Sequence, residues 1–324
     1  MRITLSRLKE IHRRQDPPRW SPNYEPTIKA TREEAPSRSR CAQVWSERLG
    51  RYCHVLSSIE QKALIFALFH PGLFELHEQR VLSTEAREHP LANHPLMQGE
   101  VLPNVTGTIA LCDQLSCLEL HPVFKTRHPE TLEPITVPIP WTGDLLLFIQ
   151  DEAGPYCVNW SVKATSRDFQ QNAFKAKPSI QPDADRHRVR TRHAIEELYY
   201  QNIGIPTIHV TDAELPARLI HNLRSFLLFL PYTKDVEPEV YEEICDRLRF
   251  GQLVQQPPLE VLLTVVHKHG ITMEQARACF MRALWHRDVI AELMDEPIFL
   301  DRALLKQRRD PLKEYARWFS RVTV

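Results

Sequence analysis

The sequence predicts an α/β fold, and three observations carry that prediction. Residues 141–231 run strand–turn–strand–helix–strand–helix, the order that builds a sheet with helices on its faces. The apolar runs at 145–149 (LLLFI) and 156–162 flank the turn sequence DEAGP and are too short for helices, so they read as a hairpin. From 232 onward the apolar spacing becomes helical, which adds a small, mostly helical domain after the α/β core.

Residues 1–40 read as an irregular basic arm. Ten Lys and Arg stand there against five acids, and Pro17, Pro18, Pro22, Pro26 and Pro36 argue against a long helix past residue 16. The arm has two readings, a solvated start or a segment that lies on a polyanion. Residues 42–56 predict two short strands around a turn at Gly50. Ser57 then stands three residues before Glu60, the capping-box pattern, and Ile59, Ala63, Phe66 and Ala67 give helical spacing until Pro71-Gly72. Residues 74–82 resume as a strand. The stretch 83–137 is rich in Pro and His and reads as a long excursion with one short strand, TIALCDQL. After the hairpin, a helix runs through RHRVRTRHAIEELYYQN to Gly204, the strand PTIHVT follows, and Asp212 is expected to cap the next helix. Near the C-terminus, Gly270 closes one helix, Thr272 caps another, and AELMDEPIFLDRALL continues the helical pattern. These observations divide the chain into an arm at 1–40, a core at 41–230 and a helical domain at 231–324.

Composition narrows the function classes. Forty-one Lys and Arg balance forty-one Asp and Glu, which excludes a polybasic protein but not a local basic patch. Seven cysteines without a CxxC pair predict a reduced, cytoplasmic protein, and no apolar run is long enough to cross a bilayer. A start without a hydrophobic stretch predicts no secretory signal. P-loop, dinucleotide-glycine and nucleophile-elbow patterns are missing from the sequence, as are zinc-type Cys/His spacings.

The remaining candidates are oxygen ligands and a lysine. Hydrolysis of a phosphodiester needs carboxylates that hold a hard cation, with a cationic side chain nearby to steady developing negative charge. Asp144 precedes the first hairpin strand and Lys163 ends the second, so antiparallel pairing brings them to one end of the sheet. Glu60, in the first turn of the earlier helix, is a third candidate. Each also has a structural reading, as a cap, a turn residue or a solvated strand end. Arg186, Arg188, Arg190 and Arg192 form a basic cluster suited to phosphate.

Several segments, in order, resemble the TnsA family, the endonuclease subunits of heteromeric bacterial transposases: residues 34–51, YCHVLSSIEQKALIFALFHPGLFELHEQRVL at 52–82, GDLLLF at 143–148, WSVK at 160–163, 194–215 and 221–226. The resemblance implies a restriction-endonuclease-like core with a mixed sheet flanked by helices, followed by a winged-helix-like domain. It implies that Glu60, Asp144 and Lys163 are catalytic and that Glu60, Asp144 and Glu196 hold Mg²⁺, for which Mn²⁺ substitutes. Glu78, Gln79 and Ser161 take auxiliary places. Ser161 departs from the family's Gln, and Gly143 and Leu145 depart beside Asp144. The implied reaction nicks the 5′ ends of a transposon in double-stranded DNA, with a DDE-type transposase subunit and an AAA+ ATPase regulator as partners. Alternatives are an inactive nuclease-fold assembly subunit, kept open by Ser161, a same-fold nuclease of defence or repair, and a DNA-binding regulator. The last stretch, 301–324, carries seven Lys/Arg against three acids, and Trp318 and Phe319 suggest docking to a partner or DNA.

Overall fold

The computed structural model describes residues 4–37, 39–127, 130–171, 182–233 and 235–322. The chain divides into two compact units. The first comprises Met1–Leu64, Gly72–Glu214 and Arg317–Val324, and the second Ile65–Pro71 and Leu215–Ala316. These limits differ from the sequence-based boundaries at 40 and 230. The N-terminal forty residues and the last eight belong with the α/β core, whereas residues 215–230 belong with the helical unit.

The first unit opens with helix α1 (Leu5–Gln15), capped by Thr4. The segment at 4–37 is therefore not an irregular arm. Leu8, Ile11, Tyr24 and Ala30 are buried, and five of its cations pair within the segment: Arg7 and Arg14 with Glu34, Arg13 and Arg14 with Glu10, and Arg19 and Lys29 with Glu25. Proline spacing stops the helix but says nothing of packing, which is why the sequence read this region as loose. Strands β1 (Ala42–Ser46) and β2 (Arg51–Val55) form the expected hairpin, with Gly50 at φ +62° in its turn.

Helix α2 (Ser58–Phe69) follows Ser57. The run expected as one strand at 74–82 is broken into β3 (Leu73–Glu78) and β4 (Val81–Leu82), because Gln79 sits in the left-handed region at φ +50°. The segment expected as the strand TIALCDQL is instead helix α3 (Thr108–Gln114). Its buried residues Thr108, Leu111 and Cys112 recur at helical spacing, Leu111 and Cys112 join the core, and that packing overrides the β-branched start. Strands β5 (Val123–Arg127) and β6 (Pro134–Pro138) make a separate hairpin, and β7 (Trp141–Thr142) pairs with β4.

The main sheet is completed by β8 (Leu145–Asp151), β9 (Gly154–Lys163) and, after helix α4 (Pro182–Gln201), β10 (Thr207–Thr211). Its order is β10-β9-β8-β3, with β10 parallel to β9 and the other neighbours antiparallel, so the sheet is mixed. Leu145 to Ile149 are all buried, as a continuous apolar run requires when both faces of a strand are covered. On one face, Leu146, Phe148 and Cys157 pack with Ile195, Tyr199 and Tyr200 of α4. On the other, Trp160 meets Trp318 and Phe319 at ring-centroid separations of 5.5 and 5.2 Å and donates its indole N–H to the Trp318 carbonyl at 2.8 Å. Trp318 is only 1% exposed, so the apolar side chains expected to dock a partner are buried in the chain's own core. Burying an aromatic side chain of this size stabilises the fold by about 2–3 kcal/mol.

The second unit is mostly helical. It contains α5 (Ala217–Leu227), α6 (Pro238–Val254), α7 (Pro258–His269) and α8 (Met273–Trp285), with a core including Leu219, Phe226, Ile244, Leu262 and Phe280. Gly270 and the Thr272–Gln275 capping box fall where expected. Asp212 does not cap α5; the helix starts after Pro216, which disfavours helical backbone in the residue before it. Residues 291–305 form no helix, since Pro297 and a web of bonds to Glu292 hold them irregular.

Candidate active site

Four segments of the first unit converge at the end of β8 and β9. Pairing of Leu145 with Trp160 sets the register, so Asp144, just before β8, reaches the far end of β9. Its Oδ2 accepts the Val162 N–H at 2.7 Å and the Lys163 ammonium at 2.7 Å. Lys163 Nζ also donates to the Val162 carbonyl at 2.9 Å. Among the described residues, the hydrogen bonds to the Asp144 carboxylate fall on Oδ2. The side chains of Asp144 and Lys163 are 14% and 22% exposed.

Glu60 arrives from the first turn of α2. The Ser57 hydroxyl accepts the Glu60 N–H at 3.1 Å, as a cap should. The return half of the box is altered: Glu60 accepts the Leu56 N–H at 2.9 Å and the Ser57 hydroxyl at 2.9 Å. Burial pushes the Glu60 carboxyl up to about 7, and the neighbouring Asp144 charge adds to this. The bonds from Leu56 and Ser57 and the Lys163 charge oppose it. Glu60 thus feels both the Asp144 carboxylate and the Lys163 ammonium that Asp144 holds.

Gln79 ties the two together. Its side-chain amide donates to Glu60 Oε2 at 3.0 Å, and its backbone N–H donates to the Asp144 carbonyl at 3.0 Å. Glu78 serves a different purpose. It is fully buried, takes two bonds from Arg51 at 2.8 and 2.9 Å, and accepts the His54 N–H. This is a structural pair that fastens β2 to β3, a role that the E-Q spacing did not separate from that of Gln79.

Glu196 lies on α4 behind the sheet end. Its carboxylate meets the Asn159 amide and the Ser161 hydroxyl, each at 3.4 Å, and Arg192 at 3.6 Å. Burial alone would push this carboxyl up, yet His193, Arg192 and Lys163 hold it down at about 2, so it stays ionised. Gly143 leaves space here: a Cβ would lie 3.5 Å from Glu196 Oε1 and 3.8 Å from Asn159 Oδ1, and the latter atom is buried without a partner. Ser161 therefore contributes through Glu196.

The four arginines of α4 are not equivalent. Arg186 pairs with Asp183, Arg190 reaches Gln170 at 3.4 Å, and Arg192 donates to the Thr142 carbonyl at 2.8 Å as well as facing Glu196. Arg188 is exposed. Arg192 is thus a support for the site rather than part of a surface patch.

Sequence reasoning missed the contribution of the N-terminal segment. Tyr24 donates its hydroxyl to the Glu78 carbonyl at 2.7 Å, and Thr27 donates both its N–H, at 3.1 Å, and its hydroxyl to the Gln79 carbonyl. No periodicity marks these contacts, since they join residues more than fifty positions apart.

The donor set suits a hard divalent cation, because Asp144 and Glu60 offer carboxylate oxygens and, among the described residues, no thiol or imidazole bonds to either. Burial is the main cause of the raised Glu60 carboxyl, and the lesser contribution, repulsion from Asp144, is of the kind a cation relieves. Among the described residues, no group of three or more His, Cys, Asp or Glu side chains is gathered as a metal centre, and no described helix is long and apolar enough to cross a membrane.

No family model matches the chain, and no curated protein matches its sequence.

Proposed function

We propose that this chain is a Mg²⁺-dependent DNA endonuclease with a restriction-endonuclease-like core, acting as the 5′-end-nicking subunit of a heteromeric transposase. The observation that carries the reading is the pairing of Asp144 with Lys163, with the buried, raised-pKa Glu60 beside them, at one end of a mixed sheet. The ordered resemblance of the segments around these residues to the TnsA family supplies the pathway.

Asp144 and Glu60 would hold the cation, which when bound would polarise the scissile phosphate and acidify a water. Glu196, ionised behind Ser161 and Asn159, would add negative potential to the same corner. Lys163 is placed to leave Asp144 and donate to a phosphate oxygen, where its charge offsets that developing on phosphorus. Gln79 would keep Glu60 aimed at the cation. Arg188 would contact the DNA backbone, and the helical unit α5–α8, read as winged-helix-like, would meet the DDE-type transposase or the AAA+ ATPase. A second reading, an inactive assembly subunit, is favoured by the Ser161 hydroxyl facing Glu196 where the family places a Gln.

The test combines the protein, its cognate transposase subunit, Mg²⁺ and duplex transposon ends, with cuts mapped by strand. Nicks at the 5′ ends that disappear in Asp144→Ala and Lys163→Ala support the reading. Cleavage unchanged in both mutants would sink it, and a wild type silent beside a competent partner favours the inactive subunit.

A further inference from the structure

Gln79 bonds the Glu60 carboxylate and the Asp144 backbone carbonyl, and its backbone conformation is costly. A glutamine at φ +50° occupies a region that non-glycine residues adopt only when surrounding bonds hold them there. Gln79 uses that conformation fully: the N–H fixes the Asp144 carbonyl and the side chain reaches Glu60. The carbonyl is what remains, and it points at the N-terminal segment. Thr27 takes it with both the backbone N–H and the hydroxyl. Around Thr27 the grip continues, with the Tyr24 hydroxyl on the Glu78 carbonyl and the Gln15 side-chain oxygen accepting the Val81 N–H. Thr27 is 1% exposed and Gln79 4% exposed, so water does not substitute for these bonds.

We infer that Thr27 is a positioning residue: by clamping the Gln79 carbonyl it holds the left-handed turn that aims Glu60 and Asp144 at one divalent cation. The inference rests on the metal-dependent reading proposed above and adds to it a part of the chain far from the reacting atoms. Tyr24 supports the same turn one residue earlier. The segment at 4–37 thus contributes to the site through the Gln79 turn.

The test titrates the full-length protein with Mn²⁺ alone by calorimetry, so that cation affinity is read without turnover. Thr27→Val keeps the shape and loses the hydroxyl, and it should weaken Mn²⁺ binding about three- to tenfold, the range expected for one buried hydrogen bond. Thr27→Ser should restore wild-type affinity. In a Gln79→Ala background, Thr27→Val should weaken binding by less than about twofold, because the side chain it aims is gone. Wild-type affinity in Thr27→Val, or full additivity with Gln79→Ala, would overturn the inference. Should Thr27→Val fail to fold, Tyr24→Phe replaces it: weaker Mn²⁺ binding supports the clamp and unchanged binding overturns it. A wild type that binds no Mn²⁺ removes the metal-nuclease reading and this inference together, whereas Mn²⁺ binding insensitive to Thr27 removes the inference alone.

Discussion

Two acidic clusters in the first unit are linked through the adjacent residues Glu78 and Gln79, and they have opposite characters. In one, Glu78 and Glu75 are sealed from water. Arg51 grips Glu78 with two bonds, His54 adds a third, and Ser21 and Leu76 donate to Glu75. In the other, Asp144 pairs with the partly exposed Lys163 through a single carboxylate oxygen, and the buried Glu60 feels the charge of both. Both hold two carboxylates and one cation, so charge count does not separate them. Exposure and unspent acceptor capacity do: the first cluster fastens strands, while the second retains an oxygen that a ligand can take.

Arg51→Met probes the contrast most severely. It strands the buried Glu78 carboxylate and should cost about 3–5 kcal/mol, read from the denaturant midpoint; a loss below about 1 kcal/mol would show that the cluster is not structural. Asp144→Asn should do the reverse, lowering cleavage on the order of a hundred- to a thousandfold while stability moves by less than about 1 kcal/mol. Equal losses of stability in the two variants would erase the distinction.

Glu60 sharpens it through pH. The folded carboxyl sits at about 7 against an ordinary 4.5, so the folded state binds the proton more tightly than the unfolded state. Stability without metal should therefore fall as pH rises from about 4.5 to 7 and stay lowered above that. Glu60→Gln should abolish this slope and recover at most about 3 kcal/mol at pH 8. Thermal melts across pH 5–8 read it directly, and an unchanged slope in the mutant would assign the titration elsewhere. Ser161→Ala should have the smallest effect. Its 3.4 Å contact with Glu196 is long, so stability should shift by less than about 1 kcal/mol, and cleavage by less than about threefold.

Local signals were legible where chemistry and spacing coincide. The Asp144–Lys163 union follows from hairpin register, and the Ser57–Glu60 cap is written in four residues. The turn at Gly50 and the caps at Gly270 and Thr272 were equally readable. Tertiary competition erased other signals. TIALCDQL became α3 because Leu111 and Cys112 had a core to enter, Gln79 broke a strand that alternation alone would continue, and Glu78 and Gln79 parted roles because only Glu78 met Arg51.

The sequence by itself determined the α/β order, the helical character of the later region and the meeting of Asp144 with Lys163, because hairpin pairing and apolar runs are local, whereas the approach of Glu60 to that pair is tertiary. The tertiary structure decided how the segments 4–37 and 317–322 pack. It turned the basic N-terminal residues inward onto their own acids, laid Trp318 over Trp160, and placed Thr27 against the Gln79 carbonyl. Those choices rest on buried area and hydrogen bonds between residues far apart in the chain, which no local pattern records.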